Sequence, residues 1–322
     1  MKKWLIRIFF IIVTLLAIVF LIFRTPDTDP AQMRAKYGST PSQFVKIGGG
    51  VTVHLRDEGP LNGDSDAPVI ILLHGSAADL HTWQPWAEGL RDTYRVIRFD
   101  QIGHGLTGAD PAGDYSVDNF VADIDEVADA LKLDTFILAG NSMGGSHALA
   151  YAIEHSERLD GLVLVDAGGA SIKTESKGNL GFSIARTPGV NQIMRYITPR
   201  SIIERSLRQS VSNESVVTDA AIDRYWELLR YPGNRAATIA RFGRGWSTFT
   251  EDQIAAIEVP TLILWGEEDR LISVEAGRWF DRVIPESELV TYPGIGHLPQ
   301  EEATEATLSD LEKWLIKRNF TT

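Results

Sequence analysis

The amino-acid sequence predicts an α/β fold, in which a mostly parallel, doubly wound sheet carries an inserted helical cap. Two observations lead to this prediction. Segments such as VIILL at 69–73 and GLVLV at 161–165 are apolar throughout, as expected of parallel strands covered by helices on both faces. Between such segments, apolar residues recur at helical spacing, and this alternation of strands and helices is typical of a parallel sheet.

The composition indicates a folded protein and argues against several classes of function. The chain has 322 residues, of which 44% are hydrophobic. Cysteine is absent, which excludes disulfides, thiolate metal sites and cysteine nucleophiles. The net charge of −12 argues against a nucleic-acid partner, because phosphate contacts require clustered lysine and arginine.

Residues 1–24 are predicted to be a transmembrane anchor, with the lipid bilayer as a partner. The segment from Trp4 to Phe23 is apolar except for Arg7 and Thr14, and as a helix it would rise about 30 Å, the thickness of a bilayer core. A cleaved signal peptide is the alternative interpretation. The apolar segment is too long for it, and no small-residue cleavage site follows Phe23.

The flanking charges predict the orientation of this anchor. Basic residues lie closer to the membrane on the N-terminal side than on the C-terminal side, where Arg24 is followed only later by Arg34 and Lys36. Basic flanks favour the cytoplasmic side. We therefore expect a single-pass membrane protein with its N-terminus inside and its catalytic body outside, in the periplasm.

The next segments are a predicted tether at 25–43 and a predicted core at 44–169 and 247–322. The tether is polar and contains three prolines. In the core, a helix is predicted at 117–131 behind a possible N-cap at Ser116, because its apolar residues share one face. Strands are predicted at 51–56, 69–73, 95–99, 135–139, 161–165, 261–265 and 288–292.

Residues 170–246 interrupt the alternation and are predicted to form the cap. They contain no continuous apolar strand and are broken by Pro188, Pro199 and Pro232. Twelve basic and six acidic residues give this segment a charge of +6, whereas the rest of the body carries −22. A cap over the carboxyl ends of the strands would cover the place where open α/β sheets bind ligands. The positive charge of the cap predicts acidic or lipid-derived substrates. The alternative is that its arginines form solvated helix faces that pair with the acidic core.

The motif Gly-Asn-Ser-Met-Gly-Gly at 140–145 carries the clearest chemistry. It follows an apolar strand and opens a helix, so Ser142 is predicted to occupy a sharp strand-to-helix turn that exposes its hydroxyl. The backbone N–H of Met143 would then face an oxyanion at the helix N-terminus. Ser142 is the candidate nucleophile.

A serine nucleophile requires a base and an orienting acid. His297 follows a predicted strand in a glycine-rich turn, free to reach Ser142. Asp269 follows strand 261–265, and Asp166, after strand 161–165, is the alternative acid; Glu267 and Glu268 are expected to be solvated. The other histidines have less suitable positions, namely His54 in a strand, His74, His81 and His104 in loops, and His147 and His155 on the helix after Ser142.

A second oxyanion donor is expected at another strand end. The backbone N–H of Ser76 fits, because Gly75 beside it allows close approach of the backbone. His74 is interpreted as a structural residue that holds this loop, and Asp100, which ends the next strand, as a turn-former.

Together these motifs resemble the α/β-hydrolase fold from about Phe44 to Leu315. Their order, with the serine first, then the acid and then the histidine, is that of the family. The resemblance implies Ser142 as nucleophile, His297 as base, Asp269 as orienting acid and a helical cap at 170–246. No metal ion or organic cofactor is implied.

The resemblance also limits which reactions of the family are expected. A serine at the elbow counts against the haloalkane dehalogenase and epoxide hydrolase branches, which use aspartate there. The elbow is similar to that of carbon–carbon hydrolases of ring-fission products, but those tend to carry tryptophan after the catalytic histidine, where this chain has Leu298. We therefore expect a membrane-anchored serine hydrolase that cleaves carboxylic esters of small acyl substrates. The alternatives are a carbon–carbon hydrolase and a catalytically idle hydrolase fold that binds ligands.

Overall fold

The computed structural model describes residues 2–172, 178–245 and 247–320, and eight strands in these residues form one sheet. The strand order is β1-β2-β4-β3-β5-β6-β7-β8, in which β2 pairs antiparallel with both β1 and β4 and all other pairs are parallel. The strands are β1 Ser42–Lys46, β2 Thr52–Glu58, β3 Val69–Leu73, β4 Arg95–Phe99, β5 Phe136–Asn141, β6 Leu159–Val165, β7 Thr261–Gly266 and β8 Ser287–Tyr292.

All seven predicted strands are present, and the eighth, β1, was not predicted. Strand β1 lies at the edge of the sheet, and its side chains are half-buried or exposed. Because such a strand buries little, it lacks the continuous apolar sequence that identifies the central strands. Its pairing with β2 comes from tertiary structure.

Helices cover both faces of the sheet, as the apolar strands predict. One buried cluster joins the sheet to α4, α5, α11 and α12, and a second joins the opposite face to α3 and α14. Helix α4 begins behind the predicted N-cap, where the Ser116 hydroxyl accepts a hydrogen bond from Asn119 N. The helices are α1 Lys2–Phe23, α2 Pro30–Tyr37, α3 Gln84–Leu90, α4 Val117–Ala130, α5 Met143–Glu154, α6 Leu180–Arg186, α7 Val190–Met194, α8 Arg200–Ser210, α9 Asp219–Leu229, α10 Asn234–Arg244, α11 Glu251–Ala255, α12 Val274–Val283, α13 Pro299–Glu302 and α14 Thr304–Lys317.

The segment 170–246, predicted as the cap, carries helices α6 to α10 and, within its described residues, no strand. The predicted breaks coincide with helix boundaries. Pro188 lies between α6 and α7, Pro199 immediately precedes α8, and Pro232 lies between α9 and α10.

The N-terminal helix and the segment after it are both ordered elements. Within the described residues, α1 is the one helix long and apolar enough to cross a membrane. The segment predicted as a tether folds against the cap instead of forming a free linker. Asp27 pairs with Arg235 at 2.6 Å, and Glu227 accepts hydrogen bonds from Lys36 and Tyr37, each at 2.7 Å. Short polar segments of this kind gain their structure from partners distant in sequence, which periodicity does not reveal.

Candidate active site

Ser142 lies in a strained turn between β5 and α5. Its φ of +55° is in the left-handed region, which is unfavourable for a residue with a side chain. The turn is held by hydrogen bonds from Ser142 N to Val165 O at 3.0 Å and from Gly168 N to Ser142 O at 2.9 Å. These contacts to the end of β6 fix the serine at the carboxyl edge of the sheet.

Glycine is required on both sides of this serine. A Cβ at Gly140 would lie 2.3 Å from Gly144 O, and one at Gly144 would lie 2.3 Å from Leu73 O. Both distances are far shorter than van der Waals contact. The glycines therefore allow helix α5 to start directly against strands β3 and β5.

His297 and Asp269, which the sequence assigns to one site, are hydrogen-bonded to each other. The distance from His297 Nδ1 to Asp269 Oδ2 is 2.7 Å, and both side chains are buried. The other carboxylate oxygen of Asp269 accepts from Leu271 N at 2.7 Å and Ile272 N at 3.1 Å. These bonds fix the carboxylate, and the carboxylate in turn fixes the imidazole.

The alternative acid, Asp166, lies beside this pair, and its pKa is shifted by its surroundings. One polar atom of Asp166 lies within 4.8 Å of polar atoms of Asp269 and His297. Burial, and then the charge of Asp269, raise the pKa of Asp166 well above its usual value. Because Asp269 is already hydrogen-bonded to Nδ1 of His297, we assign no metal to these residues.

Ser142 and His297 line one small cavity together with Ser76 of the loop after β3. The loop backbone closely approaches Ser142, since a Cβ at Gly75 would lie 3.1 Å from Ser142 Cβ. Met143 follows Ser142 at the N-terminus of α5. The two predicted oxyanion donors therefore belong to segments that adjoin Ser142, and their role stays a prediction.

The histidines outside this group occupy structural positions. His74 Nδ1 contacts Gly75 O at 2.8 Å, and its Nε2 accepts from Gln101 N at 3.1 Å. His147 Nδ1 contacts Gln101 Oε1 at 2.6 Å, and burial lowers the pKa of His147 to about 3. Both imidazoles are hydrogen-bonded to residues of the loops that follow β3 and β4, and neither is hydrogen-bonded to Ser142 in the described residues.

Two further residues hold the site together, and the sequence analysis missed both. Asn141 Nδ2 donates to Val165 O and to His297 O, each at 3.1 Å, so it joins the serine turn to the histidine loop. Glu302 accepts hydrogen bonds from Gly296 N and Leu298 N, each at 3.1 Å, on either side of His297. For Asn141 the available signal was a polar residue ending a buried strand; for Glu302 the sequence offered none.

Comparisons with known proteins agree with this fold. The profile of the α/β-hydrolase fold family matches residues 68–304. The chain is 29% identical, over 265 residues, to the 2-hydroxy-6-oxo-2,4-heptadienoate hydrolase of Pseudomonas putida, and the match covers 80% of this chain and 90% of that relative.

Two solved structures are similar over most of their length. An esterase from Thermogutta terrifontis has a TM-score of 0.71 and 26% identity, covering 87% of this chain and 99% of that one. A bacterial membrane phospholipase A has a TM-score of 0.74 and 22% identity, covering 99% of both chains. At that identity the second likeness concerns the fold alone, and its coverage includes the N-terminal helix.

Proposed function

The chain belongs to the α/β-hydrolase-fold family, and we propose that it is a membrane-anchored serine hydrolase that cleaves carboxylic esters through an acyl-enzyme. The observation that supports this most is the 2.7 Å hydrogen bond between His297 and Asp269, with His297 and Ser142 lining the same cavity. A serine, a histidine and a buried carboxylate in this relation are the parts of an acyl-transfer site.

In the proposed mechanism, Asp269 accepts a hydrogen bond from Nδ1–H of His297, which holds the imidazole in the tautomer whose Nε2 is free as a base. Nε2 takes the proton of Ser142 as its oxygen bonds to the acyl carbon. The N–H groups of Ser76 and Met143 stabilise the oxyanion. Collapse of this intermediate releases the alcohol, which receives the proton from His297, and a water molecule activated by His297 then hydrolyses the acyl-enzyme.

A partly apolar cavity beside Ser142 supports an acyl substrate. Ser142 lines a cavity of about 270 Å³ whose apolar wall includes Phe182 of the cap, and Leu271 and Ile272 beside Asp269. Apolar walls with a few polar groups are typical of small-molecule sites. We assign this cavity to the acyl chain.

Carbon–carbon bond hydrolysis is the second candidate function, and the relatives favour it. The Pseudomonas putida protein, 29% identical to this chain, is named as a hydrolase of 2-hydroxy-6-oxo-2,4-heptadienoate. Against it, the residue after His297 is Leu298, which packs with Leu207 and Val211 of the cap. We therefore rank ester hydrolysis first.

The contacts of α1 support a membrane location with the cap against the bilayer. Thr25 N, just beyond α1, donates to Tyr196 O at 2.7 Å, and the rings of Phe20 and Tyr196 make an edge contact at 6.1 Å. Nearby, Val190 and Ile193 of α7 are exposed apolar residues. We propose that this face of the cap lies at the membrane surface, with the catalytic body in the periplasm.

A substrate panel tests the proposed reaction. Full-length protein in detergent should hydrolyse p-nitrophenyl esters and leave a 2-hydroxy-6-oxo-dienoate largely intact. Ser142→Ala is the matched control for both. Faster turnover of the dienoate would favour carbon–carbon hydrolysis, and failure of a fluorophosphonate to label Ser142 would favour an idle binding fold.

Alkaline carbonate extraction tests the anchor. The full-length protein should remain in the membrane pellet, and N-terminal sequencing should find α1 intact. A mature chain that begins near Thr25 and is found in the soluble fraction would show that α1 is a cleaved signal sequence.

A further inference from the structure

Among the described arginines of the cap, Arg235 and Arg241 are buried, and of these two only Arg235 forms an ion pair. Five arginines pair with carboxylates, namely Arg200, Arg208, Arg224, Arg235 and Arg244. Arg241, on α10, is only 8% exposed, and none of the described carboxylates forms an ion pair with it. Burial of an uncompensated guanidinium is costly, so a counter-charge is expected when the site is in use.

Arg241 contacts Ser76, whose backbone N–H is one of the two predicted oxyanion donors. Its Nη2 donates a hydrogen bond of 2.6 Å to the hydroxyl of Ser76, and its guanidinium lies 4.9 Å from the centroid of the Phe242 ring. Burial lowers the pKa of Arg241 to about 10, which leaves it charged near neutral pH. The charge therefore lies close to the carbonyl that would react at Ser142.

Arg241 also lines a second cavity, of about 290 Å³, on the side of Met143. The other charged residues at this cavity are Arg244, which pairs with Asp114 at 3.1 Å, and Asp118, which is exposed. His147 also lines it, and because its pKa is lowered to about 3 it is neutral there. Arg241 is thus the buried positive charge available to a ligand among the described residues of this cavity.

We propose that Arg241 forms an anion-binding subsite, in which a carboxylate or phosphate of the substrate is held while its acyl carbonyl reacts at Ser142. This inference rests on the proposed function. A guanidinium presents several N–H donors in one plane and binds carboxylate or phosphate oxygens in a bidentate manner. The cavity lined by Phe182 takes the acyl chain, and the cavity lined by Arg241 takes the charged group.

Two matched substrate pairs test the subsite and identify the source of the anion. In the first pair, mono-p-nitrophenyl succinate carries a carboxylate that p-nitrophenyl butyrate lacks. In the second, monooctanoyl glycerol phosphate carries a phosphate that monooctanoyl glycerol lacks. The quantity to compare is the ratio of kcat/KM for the anionic member to kcat/KM for the neutral member.

Arg241→Gln should lower this ratio by about 10- to 100-fold in at least one pair, the loss expected for hydrogen bonds to a charged group. Arg241→Lys keeps the charge and should lose less. Arg208→Gln, which removes an equal charge from an arginine paired with Glu204 and Glu214, should leave the ratio unchanged. A loss in the succinate pair alone identifies a carboxylate, and a loss in the glycerol pair alone identifies a phosphate.

Equal ratios in wild type and Arg241→Gln for both pairs would overturn the subsite, provided that the neutral esters are hydrolysed. If wild type hydrolyses neither neutral ester, the proposed function fails instead. If Arg241→Gln does not fold, the wild-type protein alone provides the test. A lower kcat/KM for both anionic substrates than for their neutral partners would also overturn the subsite.

Discussion

In the part of the chain that the structure describes, two serine–histidine–aspartate clusters share a histidine–aspartate hydrogen bond of the same length. In the Ser142 cluster, His297 contacts Asp269 at 2.7 Å. In the Ser42 cluster, His54 Nδ1 contacts Asp100 Oδ2 at 2.7 Å, and His54 Nε2 contacts the Ser42 hydroxyl at 2.8 Å. By these distances alone, the Ser42 cluster is the more complete of the two.

The surroundings of the two serines differ. Ser142 has a left-handed backbone and lines two cavities, neither of which reaches Ser42. Ser42 lies in strand β1 opposite Arg56, whose Nε donates to its hydroxyl at 3.1 Å. Asp100 also accepts from Leu80 N at 2.8 Å and Leu106 N at 2.7 Å, so the Ser42 cluster joins strands and loops. Hydrogen bonds between these residue types therefore indicate catalysis only where the serine faces substrate.

Replacing each serine should separate the two clusters most strongly. We expect Ser142→Ala to lower kcat for p-nitrophenyl butyrate by about 10³-fold or more, because it removes the nucleophile. Ser42→Ala should keep kcat close to that of wild type and lower the free energy of unfolding by about 1 kcal/mol. A large loss of kcat in Ser42→Ala, with the fold intact by circular dichroism, would contradict the comparison.

Replacing each aspartate should give the next largest difference. Asp269→Asn should lower kcat by about 10³-fold while the protein remains folded, because it loses the charge that orients His297. Asp100→Asn should instead lower the free energy of unfolding by about 1–3 kcal/mol, measured by urea denaturation, since two backbone N–H groups and His54 depend on it. An active Asp269→Asn together with an inactive Asp166→Asn would assign the orienting acid to β6.

The pH dependence of stability should distinguish Asp166 from the ionised acids. Because burial and the Asp269 charge raise the pKa of Asp166 in the folded state, its contribution to stability is present at low pH and is lost as pH rises through that pKa. Asp166→Asn cannot ionise, so its Tm relative to wild type should increase from acidic to alkaline pH. A difference in Tm that is constant across this range would exclude a neutral Asp166.

The smallest effect is expected from Arg56, which donates to Ser42 and, at 3.1 Å, to Gln84. Arg56→Met should lower the free energy of unfolding by about 1 kcal/mol. When it is combined with Ser142→Ala, the freed Ser42 hydroxyl should still not react with a fluorophosphonate. Labelling of Ser42 in this double variant would show that Arg56 suppresses a second nucleophile.

Much of the fold could be predicted because its central strands are buried on both faces and are therefore apolar throughout. Strand β1 and helix α2 could not be predicted in this way. Their stability comes from partners far along the chain, such as Glu227 for Lys36 and Tyr37. A local pattern contains no information on such partners.

The candidate site was predictable to the extent that it follows strand ends. Ser142, Asp269 and His297 each come shortly after a parallel strand, and such strands bring their carboxyl ends to one edge. The supporting contacts were not predictable in the same way. Asn141 is hydrogen-bonded to His297, which lies 156 residues further along the chain. Whether the buried Arg241 forms an ion pair depends on which carboxylates lie near it in space.

The bonds that join the end of α1 to the cap have a kinetic consequence. Thr25 is hydrogen-bonded to Tyr196 and Asp27 to Arg235, so no flexible linker separates the last turn of α1 from the cap. With α1 in a bilayer, enzyme and lipid would meet by lateral diffusion in two dimensions. The rate would then follow the mole fraction of substrate in the surface rather than its bulk molarity. Added inert lipid should slow turnover although the amounts of enzyme and substrate are unchanged.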